Sequence, residues 1–171
     1  MRDSADNHYE RAFESWLIDH RVQYVRADEH KRLGPARRSV KNFDFLLHTG
    51  SSRQIIAEVK GRTFKGTTVA QLKGLDCWVT RDDVEGLQMW QRALGAGHEA
   101  AFIFAYRVVN VDVDFDGRET LLLDQDRYLF LAVRVDDYAR HMKRRSPKWQ
   151  TVTLPAEKFR ELAVDLVALL R

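Results

Sequence analysis

Hydrophobic residues return along this chain at two different spacings, and the change from one spacing to the other sketches its elements. From His8 to about Arg21, with Val22 just beyond, apolar Tyr9, Phe13, Trp16 and Leu17 recur every three or four positions, which predicts one face of an amphipathic helix. Gln23 to Arg26 reads as a short strand. Ala27 to Lys41 is polar and basic, holds Gly34-Pro35, and reads as a loop. The β-rich runs Asn42 to His48 and Gln54 to Lys60 flank the turn cluster Thr49-Gly50-Ser51-Ser52, so a hairpin is expected. Gly61 to Gly74, with its three glycines, reads as a polar connection. Trp78-Val79 is a short strand candidate, and Thr80 followed by Asp83 resembles a capping box. Val84, Leu87, Trp90 and Leu94 then mark a helix that Gly95 and Gly97 stop.

Ala100 to Val109 is almost unbroken apolar sequence, as in a strand buried on both faces. Leu121 to Leu123, Tyr128 to Val135 and Trp149 to Leu154 are further strand candidates. Pro155 opens a final helix with Phe159, Leu162, Leu166 and Leu170 on one side. The order predicts a mixed α/β fold with a central sheet flanked by helices. At 171 residues, one domain with a real core is expected and two are not.

Composition excludes several classes. With 44% hydrophobic and 31% charged residues the chain is globular and not disordered. No apolar run approaches the ~20 residues needed to cross a bilayer. Met1 to Asn7 lacks the basic flank and apolar stretch of a secretory signal. Cys77 stands alone, so neither a disulfide framework nor a thiolate zinc site is available, and it reads as a small buried apolar residue. A cytoplasmic protein is expected.

The net charge is only +3, but it is segregated. Arg26, Lys31, Arg32, Arg37, Arg38 and Lys41 crowd before the hairpin; Arg140, Lys143, Arg144, Arg145 and Lys148 form a second cluster; Asp112, Asp114, Asp116, Glu119, Asp124 and Asp126 sit elsewhere. Segregated charge suits a partner made of phosphates. A solvated face is the plainer reading of any one run.

The hairpin carries the chemistry. Side chains alternate along a strand, so Glu58 and Lys60 share a face, about 7 Å apart. A symmetric hairpin centred on Ser51 pairs Asp44 with Glu58, at a Cβ separation of about 5 Å. Two carboxylates so close repel unless a cation lies between them. Oxygen ligation by few protein groups is the style of Mg²⁺. Such an ion would polarise a phosphodiester oxygen, with Lys60 placed to hold or deprotonate the attacking water. An edge-strand salt bridge is the plainer reading of Glu58 and Lys60.

Asp44, followed after the turn by Glu58-Val59-Lys60, resembles the D…(D/E)xK signature of the PD-(D/E)xK nuclease superfamily, with Phe43 standing where the superfamily's name has Pro. Glu10, Phe13, Leu17 and the strand Gln23-Tyr24-Val25-Arg26 are similar to the opening of Holliday-junction-resolvase-like members. His8-Tyr9-Glu10-Arg11-Ala12-Phe13-Glu14 further resembles a family known by its HYExAFE motif. The resemblance covers about residues 8–109 and leaves 110–171 as an extension of strands and a final helix. It implies a restriction-endonuclease-like core, Mg²⁺ or Mn²⁺, and hydrolysis of the DNA backbone. It assigns metal binding to Asp44 and Glu58, with Glu10 as an additional ligand, and makes Lys60 the catalytic lysine. Glu14, one turn from Glu10, is an alternative to it.

Arg62 and Lys65 follow the lysine closely enough to hold phosphates, and Arg37 and Arg38 join them from the basic loop. Arg144, Arg145, Lys148 and Trp149 combine charge with a stacking aromatic, although Trp149 equally well packs in the core. Asp112 to Gly117 imitates the start of a calcium loop. Its twelfth position is Leu123, so an acidic turn is preferred. His48 alone among the histidines shares strand parity with Asp44. The expected partner is nucleic acid, DNA before RNA, with a homodimer suited to cutting two strands. The alternative is a domain that binds nucleic acid or protein without turnover.

Overall fold

The structure, a computed structural model, describes residues 7–27 and 42–171. Helix α1 (Asn7–Asp19) leads into strand β1 (Gln23–Arg26). Strands β2 (Phe45–His48) and β3 (Gln54–Phe64) form the expected hairpin. After a single 3-10 turn come β4 (Val79–Thr80), α2 (Arg81–Leu94) and β5 (His98–Val108). The remainder is β6 (Leu121–Leu123), β7 (Asp126–Arg134), α3 (Val135–His141), β8 (Lys143–Ser146), β9 (Thr151–Thr153), α4 (Ala156–Leu162) and α5 (Leu166–Leu169).

Six strands form one sheet in the order β1-β2-β3-β5-β7-β6, and three form a second in the order β4-β9-β8. The β3–β5 pair is parallel and every other pair antiparallel, so the large sheet is mixed. Helix α2 provides the crossover that a parallel neighbour requires. Residues 100–106 of β5 are all buried, as the continuous apolar run predicts for a strand covered on both faces.

Two apolar clusters lie on the two faces of the six-stranded sheet. Phe13, Trp16 and Leu17 of α1 pack with Phe45, Ile55, Ala57 and Ile103. Val84, Leu87 and Trp90 of α2 pack with Ile56, Phe64, Phe102 and Phe104 on the other face, together with Val152 of the small sheet. Odd positions of β3 thus face α1 and even positions face α2, the period-two rule of a strand.

Several elements depart from the expectations. Strand β3 does not stop at Lys60 but continues to Phe64, because β5 pairs with it as far as Phe64↔Val108. Gly61 fits this longer strand through its missing side chain, since a Cβ there would overlap the Tyr9 ring of α1. The final helix is two helices, because Val164 leaves helical geometry to exchange backbone hydrogen bonds of 2.8 and 2.9 Å with Ala132 of β7. Helix α3 and strand β8 are additions, and Trp149 lies outside β9 in the turn that precedes it. The capping box at α2 is present in both halves: Asp83 N–H donates to Thr80 Oγ1 at 3.1 Å and Thr80 N–H to Asp83 Oδ2 at 3.0 Å.

Candidate active site

Strand β3 lies inside the large sheet, between β2 and β5, and carries Glu58, Lys60 and Arg62 at successive even positions on the face covered by α2. The hairpin register is Phe45↔Ala57, Leu46↔Ile56, Leu47↔Ile55 and His48↔Gln54, which centres the turn on Ser51. Continuing it by one residue sets Asp44 opposite Glu58. Asp44 itself stands at the mouth of the ladder, where the chain bends into β2. Its N–H donates to the Ala57 carbonyl at 3.0 Å, and its Oδ2 accepts the Val59 N–H at 2.7 Å. The Asp44 carboxylate therefore sits against the peptide unit that joins Glu58 to Val59.

Glu58 and Lys60 are held in a buried cluster. Lys60 Nζ is 3.2 Å from Glu58 Oε1 and 2.8 Å from Asp83 Oδ2. The three side chains retain 13% (Lys60), 5% (Glu58) and 6% (Asp83) of their exposure. Charges so far from water survive only when paired, because desolvation costs several kcal/mol per ion. Asp83 is the member that sequence reasoning missed: the Thr80–Asp83 spacing indicates a helix cap, while its contact with Lys60 arises from where the crossover helix lands.

Arg62, the next residue on this face, is built differently. Its guanidinium donates to the Gly61 carbonyl at 2.7 Å and to the Trp78 carbonyl, and its carbon lies 3.9 Å from the centre of the Trp78 ring. Its Nε is buried without a partner among the described residues, and burial lowers its pKa from the ordinary arginine value. Arg145 of β8 lies over the same Trp78 ring at 5.0 Å.

The other expected residues are placed as follows. Glu10 and Glu14 are on α1, the helix that covers the opposite face of the sheet. Both bind Arg26, at 2.9 and 3.1 Å, and Glu14 also accepts from Tyr24 Oη at 2.8 Å. Arg26 pairs in register with Phe45, the residue after Asp44, so this cluster reaches the sheet at the mouth of the hairpin. Lys65 is exposed just beyond β3, and Arg144 and Lys148 are exposed on and beside β8. Arg37 and Arg38 lie outside the described residues. His48 is at the far end of β2 from Asp44, opposite Gln54. Asp114 accepts the Asp116 N–H at 2.9 Å, Asp116 and Gly117 take positive φ, and the acidic stretch is a turn as expected.

A divalent ion, which the resemblance implies, would find hard oxygen donors in Asp44 and Glu58. Among the described residues no three His, Cys, Asp or Glu side chains converge as a ready ion cage. Coordination by two carboxylates and several waters is one that Mg²⁺ accepts.

No family model matches the chain, and no curated protein matches its sequence. The similarity of residues 8–14 to the HYExAFE family therefore rests on those residues alone. Among solved structures the chain is similar to Hjc of Archaeoglobus fulgidus, a Holliday junction resolvase from an archaeal hyperthermophile, with a TM-score of 0.55 and 14% identity. The match covers 97% of this chain and 95% of that one. No described helix is long and apolar enough to cross a membrane. At that identity the likeness is one of architecture, and it shows that this chain has the restriction-endonuclease-like fold, a central mixed sheet flanked by helices.

Proposed function

We propose that this protein is a divalent-metal-dependent nuclease that hydrolyses DNA phosphodiester bonds. The observation that carries the reading is the convergence at one point of β3: Lys60 held against Glu58 in a buried cluster, and the Asp44 carboxylate against the Glu58–Val59 peptide. Asp44 and Glu58 would hold Mg²⁺ or Mn²⁺, which would supply a Lewis acid for the phosphoryl oxygen. Asp83, 2.8 Å from Lys60 Nζ, holds the ammonium in place beside Glu58. Lys60 orients the attacking water and offsets the negative charge that develops on phosphorus in the transition state. Glu10 assists from the helix side, past the mouth of the hairpin. Arg62, Lys65, Arg144, Arg145, Lys148, Arg37 and Arg38 hold flanking phosphates.

Mn²⁺-dependent cleavage of branched and single-stranded DNA tests this. Glu58→Gln keeps the side chain's shape and is expected to lower the cleavage rate by about 10²- to 10³-fold. Isothermal titration of Mn²⁺ should show one bound ion, lost in Asp44→Asn. Cleavage that survives Glu58→Gln refutes the site. Nucleic-acid binding with neither ion binding nor cleavage would instead identify a binding domain on a nuclease fold.

A further inference from the structure

The extension beyond residue 109 contributes a hairpin with no counterpart in the catalytic motif. Between Met142 and Ala156 the chain holds four cations, Lys143, Arg144, Arg145 and Lys148, and no carboxylate. Strand β8 is exposed along Lys143, Arg144 and Arg145, and none of the four cations has an ion pair among the described residues. At the tip, Trp149 keeps 67% of its surface in water, with Lys148 Nζ 5.2 Å from its ring centre. An indole left this open at a turn gains nothing from the core of its own chain.

The hairpin is also tied to the candidate site. Val79 and Thr80 of β4 pair with Val152 and Thr151 of β9, directly before the helix that carries Asp83. The Arg81 N–H donates to the Gln150 carbonyl at 2.9 Å, which fixes the base of the turn. Arg145 of this hairpin and Arg62, two positions along β3 from Lys60, lie over one Trp78 ring.

We infer that the β8–β9 hairpin binds unpaired nucleotides next to the candidate active site, Trp149 stacking on an exposed base while Lys148, Arg144 and Arg145 follow the phosphates. This rests on the nucleic-acid reading above. Base pairing and stacking close the faces of bases within a duplex, so a protruding indole finds its partner only where the strand is open. The Trp78 ring, already covered by Arg62 and Arg145, is the strut that aims the cations.

Binding of a short oligothymidylate and of a blunt duplex of equal length, in EDTA so that no cleavage occurs, tests the inference. Trp149→Ala should weaken single-strand binding about tenfold or more and duplex binding less than twofold, with Trp149→Phe keeping most of the affinity. Trp149 is exposed and outside any strand, so the variants should retain the wild-type circular dichroism. Equal losses on both ligands, no loss on either, or a wild-type preference for duplex would overturn the proposal. A protein that binds open strands through Trp149 yet never cuts them refutes the nuclease reading and leaves this one standing. Normal cleavage with Trp149→Ala binding unchanged does the reverse.

Discussion

Glu58 on the six-stranded sheet and Asp83 against it are buried and both paired with the largely buried Lys60, whereas Lys143, Arg144 and Lys148 of the small sheet and its turn are exposed and carry no ion pair among the described residues. Both groups border the same helix start, yet they obey different physics. In the buried group each charge persists because its partners offset the lost hydration, so removing one strands the others. In the exposed group water already solvates each cation and little stability depends on it. The first arrangement is a fixed instrument; the second leaves its cations available to something that arrives.

This contrast can be broken most sharply at Lys60. Lys60→Ala leaves two carboxylates buried against each other, and the expected cost is about 3–5 kcal/mol of stability, read from urea unfolding. A loss below about 1 kcal/mol would mean that water enters the cluster freely and that the two groups are alike.

Tyr138 sits on the seam between the sheets, and its effect should be intermediate. Its fully buried hydroxyl is shared between the Cys77 carbonyl at 2.7 Å and the Val152 carbonyl of β9 at 3.2 Å. Tyr138→Phe strands both acceptors, a cost of about 1–3 kcal/mol. Burial also raises the Tyr138 phenol well above its ordinary value, and Tyr106 likewise. The unfolded chain ionises these groups near pH 10 and the folded chain does not, so their contribution is complete below about pH 10 and lost as pH rises beyond it. Tyr138→Phe should accordingly flatten the alkaline decline by about 1.4 kcal/mol per pH unit in unfolding experiments between pH 10 and the folded-state limit.

The smallest effect belongs to the exposed group. Arg144→Ala should change the unfolding free energy by no more than about 0.5 kcal/mol while weakening nucleic-acid binding and reducing its salt dependence. A stability loss as large as that of Lys60→Ala would show that β8 is structural and not recognitional.

Local pattern made the hairpin readable. Two β-rich runs around Thr49-Gly50-Ser51-Ser52 leave few registers that keep Phe45, Leu47, Ile55 and Ala57 on the buried side, and the arithmetic centred on Ser51 is the one observed. The capping box was legible for the same reason, its two partners being three residues apart. What escaped depends on contacts distant in sequence. Asp83 meets Lys60 across 23 positions because α2 returns over β3. The break in the last helix depends on Val164 finding Ala132, and the apparent stop at Gly61 is overridden by β5, which pairs with β3 as far as Phe64. Trp149 fitted a core strand or an exposed platform equally well, and the turn at Pro147 to Gln150 decides for exposure.

Gly61 has a wider consequence. Between Lys60 and Arg62 the strand presents a notch on its reverse side, and the Tyr9 ring is keyed into it. The helix bearing Glu10 is thereby indexed along the strand bearing Glu58, as a tooth sets a rack. A methyl group at that notch would force the Tyr9 ring out of its seat and loosen the packing of that helix on the strand, even with every acid and lysine left in place.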